Sequence, residues 1–395
     1  MNYIDQATLS GKRALIRVDF NVPMDNEGNV TDDRRIREAV PTINHILQNG
    51  GSAVLMSHMG RPKGEPNPAF SLRQTLSTLK KYVDAEILFV EDCIGEEALQ
   101  MSAALQPGQV LVLENLRFHT EETKGDPTFA KKLARHGDIY VNDAFGTAHR
   151  AHASTTGVAT FFDEKYAGFL LKKEIENADK VLDKAERPYT AIMGGAKVSD
   201  KILIMEKLLD KVDYILVGGG MAYTFLRAKG YRIGKSLVEQ DSIATAAQLL
   251  KTAVRKNVKI LTPVDSVVSD VFGEDGESYV VRNEDFPENM MGLDIGPNTF
   301  EYYFDVIMSS KTILWNGPMG VFEMPKFATG TKAVAQAVVE ATRRNGAFSL
   351  IGGGDSAAAI AQAGLEEKVS YVSTGGGALL EYLEGKVLPG IAALG

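Results

Sequence analysis

Short apolar runs alternate with longer segments of helical periodicity along most of the chain. The runs that predict β-strands are Arg13–Val18, Ser52–Met56, Glu86–Val90, Gln109–Leu113, Asp138–Asn142, Tyr189–Met193, Asp213–Val217, Val258–Leu261, Thr312–Trp315 and Ala347–Ile351. Residues between the first two runs follow the spacing of one helix face, although Pro41 should start or kink that helix. This alternation is typical of parallel sheets covered by helices. Because one sheet of ten strands would be unusually wide, the pattern predicts an α/β fold with two doubly wound parallel-sheet domains.

A segment rich in leucine, lysine and glutamate, Tyr166–Arg187, has no glycine after Gly168 and ends before Pro188. These features predict one long helix. It would either connect the two domains, with hinges at its ends, or cross over inside one domain. The sequence alone leaves both interpretations open.

One stretch predicts a phosphate-binding turn. The apolar run Ala347–Ile351 is followed by Gly352–Gly354, then by Asp355, Ser356 and an alanine-rich segment. This order is typical of a strand, a tight turn and a helix whose first free N–H groups suit a phosphate. Asp355 could hold a magnesium ion that accompanies a nucleotide. The alternative interpretation is a purely structural turn.

Two related phosphate motifs do not fit this chain. Gly352, Gly354 and Ala357 satisfy G-x-G-x-x-A, but too little chain follows them to complete a dinucleotide-binding domain. The segment Gly230–Ser236 resembles a P-loop with one residue too few between its glycines. We therefore reject both motifs.

Polar or glycine-rich residues follow nearly every predicted strand, at the sheet edge where open α/β folds bind ligands. The first half supplies the cationic side chains Arg17, Arg35, His58, Arg61, Arg117 and Arg150. Several guanidinium groups at neighbouring strand ends predict a site for a small polyanion. His58 is expected to donate a hydrogen bond rather than bind a metal, because no acid or histidine lies at ligand spacing around it.

The second half offers glycines and few arginines. Lys197 and Lys201 are four residues apart, which on a helix would direct both ammonium groups to the same phosphates. An exposed lysine pair is the alternative. The glycines Gly218–Gly220 indicate either a nucleotide contact or a simple tight turn.

Composition excludes several classes of function. The chain has 395 residues, a formal net charge of -8 and no long basic run, which argues against general nucleic-acid binding. Residues Met1–Asp5 show no secretory signal, and no apolar stretch reaches the length of a membrane span. The single cysteine, Cys93, excludes an internal disulfide and is expected to be an inert thiol in a reducing cytoplasm.

The residues also carry a family resemblance. The motif-bearing segments are Arg13–Pro23, Ser57–Pro62, Glu114–Phe118, Asn142–Gly146, Gly194–Lys201, Trp315–Glu323 and Gly352–Ser356. In this order they resemble the signature segments of the phosphoglycerate kinase family and span nearly the whole chain. The resemblance implies two Rossmann-like domains, at 1–165 for phosphoglycerate and at 188–380 for nucleotide. It further implies a connecting helix at 166–187 and a tail at 381–395 that returns to the first domain.

Site residues are carried over from the resemblance position by position. It implies that Arg35 and Lys197 are catalytic. The implied phosphoglycerate-binding residues are Asp19, Asn21, Arg35, His58, Arg61, Arg117 and Arg150. The implied nucleotide-binding residues are Lys201, Gly219, Asn316, Glu323, Gly353, Gly354, Asp355 and Ser356, with Asp355 linked to magnesium. Tyr371 and Leu379 depart from residues common in the family, at positions that are not ligand contacts in its pattern.

The function that this resemblance implies is reversible, magnesium-dependent phosphoryl transfer from 1,3-bisphosphoglycerate to ADP, giving 3-phosphoglycerate and ATP in glycolysis. A monomer in the cytoplasm whose two domains close around a hinge is expected, with no nucleic-acid or membrane partner. An ATP-dependent ligase acting on a phosphorylated acid is one alternative. A nucleotide-binding regulatory protein without catalysis is another, although a pure binder needs no second anion site.

Overall fold

The computed structural model describes all residues, Met1–Gly395. The chain divides into two compact units. The first consists of Met1–Glu176 with Val387–Gly395, and the second of Asn177–Lys386. The division falls within one helix, and the last nine residues belong to the first unit.

The first unit is built on a sheet of six parallel strands. They are β1 (Arg13–Arg17), β2 (Ser52–Met56), β3 (Ile87–Val90), β4 (Val110–Leu113), β5 (Ile139–Asn142) and β6 (Lys165–Ala167), in the order β3-β4-β2-β1-β5-β6. Every residue of β2, β4 and β5 is buried. Helices cover both faces of such a sheet, and therefore these strands appear in the sequence as continuous apolar runs.

The α-helices that begin in the first unit are α1 (Arg34–Gln48), α2 (Leu76–Leu79), α3 (Glu96–Ala103), α4 (Thr120–Lys124), α5 (Pro127–Ala134) and α6 (Phe169–Leu182). Short 3₁₀ turns are Ile4–Gln6, Pro68–Phe70, Leu72–Thr75, Leu116–Phe118, Phe145–Thr147 and Val158–Phe161, and Ala153–Gly157 forms a π turn. Pro41 lies inside α1 and does not start it. A helix can run through a proline when packing of its apolar face outweighs the lost backbone hydrogen bond.

The predicted long helix is shorter than expected. Tyr166 is not helical, because it pairs with Val141 in the sheet. Helix α6 begins at Phe169, where the hydroxyl of Thr42 and the carboxyl of Asp143 accept the free N–H groups of its first turn. It ends at Leu182, five residues before Arg187. Periodicity alone could not locate the sheet pairing that ends the helix at Phe169.

The second unit contains another sheet of six parallel strands. They are β7 (Tyr189–Met193), β8 (Tyr214–Val217), β9 (Lys259–Leu261), β13 (Thr312–Asn316), β14 (Phe348–Gly352) and β15 (Tyr371–Val372), in the order β15-β14-β13-β7-β8-β9. The ten predicted strands are thus all present, with ends displaced by at most one residue. The prediction of two parallel-sheet α/β units is confirmed.

A small antiparallel sheet was not predicted. It consists of β10 (Asp265–Ser269), β11 (Ser278–Arg282) and β12 (Met291–Ile295), in the order β11-β10-β12. Tyr279 and Val280 of β11 are exposed, and the hairpin that joins β10 to β11 is rich in acidic residues and glycine. Strands β10 and β12 are largely buried, but polar residues and a glycine interrupt their apolar runs, so the sequence pattern missed all three strands.

The remaining α-helices are α7 (Ile202–Leu208), α8 (Met221–Ala228), α9 (Ile243–Arg255), α10 (Pro297–Ser309), α11 (Thr329–Asn345), α12 (Gly354–Gln362), α13 (Gly377–Leu383) and α14 (Pro389–Ala392). The 3₁₀ turns are Gln240–Ser242, Asn283–Asp285, Pro325–Phe327 and Glu366–Lys368. Helix α14 belongs to the first unit, and Gly390 there donates to the carbonyl of Ala148 and accepts from the side chain of Asn142 at the end of β5. The domain limits 1–165, 166–187, 188–380 and 381–395 remain predictions.

Cys93 is a buried, free thiol. Burial raises its pKa well above the usual value, and the Asp92 carboxyl adds to this shift. The thiol is therefore protonated at neutral pH, as an inert thiol would be. None of the helices has both the length and the apolar character needed to cross a membrane.

Candidate active site

Strand register brings two of the predicted cationic residues, Arg17 and His58, to one sheet edge, together with Asn115. Arg17, the last residue of β1, lies beside Met56 of β2 and Asn142 of β5. His58 follows β2 by two residues, and Asn115 follows β4 in the same way. Because parallel strands end at the same edge, residues far apart in sequence meet here.

Asp19, Asn21 and Arg35 form one connected group. Arg35 Nη1 lies 3.2 Å from Asp19 Oδ2 and donates to the Asn21 carbonyl at 2.9 Å. The Asn21 side-chain oxygen accepts from the N–H of Gly60 at 2.9 Å. Burial alone would raise the pKa of Asp19, but the charges of Arg35 and Arg17 and the N–H of Asn21 hold it below the usual value. The carboxylate is therefore charged, and it orients the guanidinium of Arg35.

His58 is buried and held in one tautomer. Arg17 Nη2 lies 3.3 Å from His58 Nδ1, and an arginine can only donate, so Nδ1 must accept. Burial lowers the pKa of His58 well below its usual value, and Arg17, Arg117 and Arg35 lower it further against the opposing effect of Asp19. A neutral imidazole with an acceptor at Nδ1 carries its proton on Nε2. His58 can therefore donate from Nε2 to an anion.

Arg117 lies within the same cluster. Its Nη1 donates to the Gly60 carbonyl at 2.8 Å, whereas its Nε is buried without a partner. Burial lowers the pKa of Arg117, and the charges of Arg17 and Arg150 lower it further. Arg61 and Arg150 are exposed. Several cations placed so close that they perturb one another form a site that an anion would stabilise.

Sequence reasoning did not identify the residues behind this cluster. The fully buried Glu122 accepts from Ser154 Oγ at 2.6 Å and from its N–H at 3.0 Å, and Ser154 Oγ in turn accepts from Arg17 Nε at 2.7 Å. His152 lies nearby, with Nδ1 3.9 Å from Glu122 Oε1 and without a hydrogen-bond partner. Burial lowers the pKa of His152 to about 4, and the charge of Arg117 adds to this shift. The H-R-A-H segment was a possible signal for His152, but Glu122 lies on a helix with no motif.

In the second unit, three strand ends approach one another through backbone atoms. The N–H of Gly195 donates to the Pro318 carbonyl at 3.1 Å, and that of Gly219 donates to the Met319 carbonyl at 2.8 Å. Gly219 has φ +66°, and a Cβ there would lie 2.6 Å from backbone atoms of Gly195. Backbone packing thus accounts for glycine at position 219, and its contact with nucleotide remains a prediction.

The turn between β14 and α12 has the predicted strand–turn–helix form. Gly353 has φ +87°, a conformation that favours glycine, and α12 begins at Gly354. A Cβ at Gly354 would meet nothing within 4 Å. The first turn of this nine-residue helix therefore opens onto free space, where its N–H groups can receive a ligand oxygen.

Asn316 connects this turn to Lys201. The Lys201 ammonium donates to Asn316 Oδ1, so the amide nitrogen faces the other way. That nitrogen is buried without a hydrogen-bond partner, and it lies 3.0 Å from the position of a Cβ on Gly353. Burial lowers the pKa of Lys201, against the opposing effects of Asp200 and Asp355. An unpaired buried donor beside a helix start is a site that an anion would satisfy.

The other predicted nucleotide residues take different positions. Ser356 is buried, and its Oγ accepts from the N–H of Gly317 at 2.5 Å, which links α12 to the loop after β13. Asp355 and Glu323 are exposed. The helical interpretation of the lysine pair is wrong. Helix α7 begins only at Ile202, so Lys197 lies on an irregular loop and Lys201 precedes the helix.

A cluster of cations at one parallel sheet and a glycine turn that opens a helix at the other are features of a phosphotransferase. The family model described as phosphoglycerate kinase matches residues 4–386. The chain belongs to the phosphoglycerate kinase family.

Similar proteins and structures extend over the whole chain. It is 53% identical over 391 residues to a phosphoglycerate kinase of Prosthecochloris aestuarii, covering 99% of this chain and 98% of the relative. It is 54% identical, with the same coverage, to one of Chlorobaculum tepidum. The solved structure of phosphoglycerate kinase from Coxiella burnetii has a TM-score of 0.87 and 43% identity, covering 99% of this chain and 97% of the other. That from Pyrococcus horikoshii has a TM-score of 0.87 and 32% identity, covering 100% and 98%.

Proposed function

We propose that this chain transfers a phosphoryl group reversibly between the carboxyl group of 3-phosphoglycerate and ADP, forming 1,3-bisphosphoglycerate or ATP, as a step of glycolysis. The observation that carries this proposal is the unpaired Asn316 amide beside the open first turn of α12, with the Lys201 ammonium on the same asparagine. Family membership supplies the substrates.

The acceptor is bound by the first unit. Arg35, fixed by Asp19 and the Asn21 carbonyl, grips the carboxyl end of the substrate. His58 donates from Nε2 to the phosphate at the other end, together with Arg61, Arg117 and Arg150. The substrate carboxylate is already deprotonated at neutral pH, so transfer requires no catalytic base. This agrees with a cluster that contains many hydrogen-bond donors for an anion and a neutral histidine.

The nucleotide is bound by the second unit. The first N–H groups of α12, Gly353, Gly354 and the Asn316 amide hold its phosphates, with Lys201 beside them. The ammonium of Lys197 stays close to the phosphoryl group while it is transferred and stabilises the charge on its oxygens, as phosphoryl transfer demands. Gly219, Glu323 and Ser356 complete the proposed set, with Glu323 at the ribose.

The residues present also fit a magnesium ion. Asp355 is exposed on the first turn of α12, so its carboxylate is accessible beside the proposed phosphate site. One carboxylate with phosphate oxygens and water is a common magnesium environment in nucleotide enzymes. A magnesium ion there would neutralise phosphate charge. Asp355 would hold this ion. Lys201 lies close enough for the charge of the Asp355 carboxylate to affect the lysine pKa.

We further propose that the two units close during catalysis. The proposed acceptor and nucleotide residues belong to separate units, yet reacting oxygens must approach to about 3–3.5 Å. Closure would also exclude water that could intercept the phosphoryl group. The hinges are proposed at the ends of the 166–187 segment and near Thr374–Gly377. Small-angle X-ray scattering should show the radius of gyration falling most with both ligands present, and an unchanged radius would contradict closure.

A monomeric state and a cytoplasmic location complete the proposal, on the strength of the family resemblance. Analytical ultracentrifugation and cell fractionation test them directly.

The activity is tested by incubating the chain with ATP, magnesium and 3-phosphoglycerate alone, and coupling 1,3-bisphosphoglycerate to its reduction by NADH. Turnover without a third substrate supports the proposal. A requirement for a third substrate would indicate a ligase, and nucleotide binding without any turnover would indicate a regulatory protein.

A further inference from the structure

The loop 195–201 carries both lysines of the proposed nucleotide site but has no helix or strand. Its first residue, Gly195, is held by backbone hydrogen bonds to Pro318 and Met221, and Val198 is fully buried. Lys197 lies between these two fixed points, with an exposed side chain. Transfer catalysis depends on positioning to within about 1 Å, so something must restrict this segment.

Both oxygens of the Glu239 carboxylate accept hydrogen bonds from this loop. Oε2 accepts from the N–H of Ser199 at 2.9 Å, and Oε1 accepts from Ser199 Oγ at 2.6 Å. Partial burial alone would raise the pKa of Glu239, but the Ser199 hydroxyl, the N–H groups of Ser199 and Val198, and the Lys197 ammonium hold it below the usual value. The carboxylate therefore faces three successive residues of the loop, including Lys197.

Glu239 is itself fixed from the other side. Its N–H donates to Oγ1 of Thr224 at 3.1 Å, and Thr224 is buried in α8. Its carbonyl accepts from the N–H of Ser242 at 3.0 Å in the following 3₁₀ turn. These bonds connect the loop through Glu239 to a packed helix of the same unit.

We infer that Glu239 is a positioning residue for Lys197, acting through Ser199. The inference rests on the proposed role of Lys197 in phosphoryl transfer. Glu239 contacts neither substrate in this assignment. It restricts the loop before ligand arrives, so that less ordering is required when the ammonium engages the transferring group. The alternative is a surface contact that only stabilises the fold.

The test compares Glu239→Ala, Glu239→Gln and Ser199→Ala with a control, Glu206→Gln, which alters an exposed acid on α7. Glu239→Ala should lower kcat about 10-fold or more, with KM for 3-phosphoglycerate and the melting temperature unchanged. Glu239→Gln keeps an acceptor for the Ser199 N–H and should recover part of kcat. Ser199→Ala loses only the hydroxyl contact, so its kcat should lie between those of wild type and Glu239→Ala. The control should match wild type.

A double-mutant cycle separates positioning from structure. In a Lys197→Ala background, Glu239→Ala should lower kcat no further, because its effect passes through that lysine. An equal loss in both backgrounds, or a full kcat in Glu239→Ala alone, would overturn the inference.

Amide hydrogen exchange of the free protein gives a readout that does not depend on activity. Glu239→Ala should speed exchange of Val198–Lys201 while the interior of α8 keeps its protection. Unchanged exchange there would overturn the inference even in an active enzyme. A wild-type chain that does not transfer phosphoryl groups would instead refute the proposed function, and exchange would still show whether Glu239 holds the loop.

Discussion

Arg17 and His58 form a buried pair in which the guanidinium Nη2 lies 3.3 Å from the imidazole Nδ1. Because arginine cannot accept, this contact places the histidine proton on Nε2. Arg17 also donates to Ser154, which in turn donates to Glu122. All of these residues are buried, so a buried hydrogen-bond network determines the tautomer of His58.

His58 should therefore stay neutral at physiological pH. Burial and the neighbouring arginines lower its pKa well below the usual value. Nitrogen NMR of the imidazole should show a protonated Nε2 and a bare Nδ1, with no titration between about pH 6 and 8. A protonated Nδ1 would contradict the assignment of the pair.

Gly354→Ala tests whether the start of α12 is a ligand site. A Cβ there meets no protein atom, so the free energy of unfolding should be unchanged or raised by about 0.4–1 kcal/mol. The same methyl group would occupy the space assigned to nucleotide phosphates, so calorimetry should show about 10-fold weaker ADP binding. Gly273→Ala, also at an open position, should bind normally. Normal binding by Gly354→Ala would indicate a purely structural turn.

Lys197→Ala should lower kcat by roughly 10²-fold or more, with little loss of ligand binding. Its charge matters most as negative charge is rearranged in the transition state. Steady-state kinetics with separate measurements of ligand affinity test this, and Lys251→Ala on α9 is the control. A normal kcat with a raised KM would mean that Lys197 only binds ground-state ligand.

Asp355→Asn should weaken magnesium nucleotide binding and leave 3-phosphoglycerate binding intact. The reason is that the two proposed sites lie on separate units and only Asp355 offers a carboxylate at the helix start. Titration calorimetry of each ligand alone gives the comparison. Equal losses for both ligands would point to a folding defect.

Asp143 should make stability depend on pH. It is fully buried, and burial raises its pKa from the ordinary range of an aspartate to about 7, although Thr42 and the N–H groups at the start of α6 oppose the shift. The folded state thus keeps a proton that the unfolded state has lost. Stability from this group is complete below about pH 4 and is lost as pH rises towards 7, at up to about 1.4 kcal/mol per pH unit.

Asp143→Asn removes this titration. The difference in unfolding free energy between Asp143→Asn and wild type should therefore increase in favour of the variant as pH rises from 5 to 7. Above pH 8 this difference should be constant, as measured by urea unfolding. Taking the difference cancels the opposite effect of buried His136, whose pKa burial lowers to about 4. A difference that does not change with pH would show that Asp143 is ionised in the folded protein.

The two parallel sheets could be predicted from the sequence alone, because strands buried on both faces are continuous apolar runs. The turn at Gly353 could also be predicted, because the positive φ at this helix start favours glycine, which the sequence shows directly. The motif residues of the anion cluster were found because polar side chains at strand ends interrupt those runs.

The remaining features depend on contacts between segments that are distant in the sequence. The start of α6 at Phe169 depends on Tyr166 pairing with β5, and the sheet of β10–β12 has an exposed strand without apolar periodicity. Glu122 and Glu239 acquire their partners 32 and 40 residues away in the chain. Such pairs leave no local pattern, because a hydrogen bond between distant segments depends on how the chain folds rather than on the neighbours of either residue.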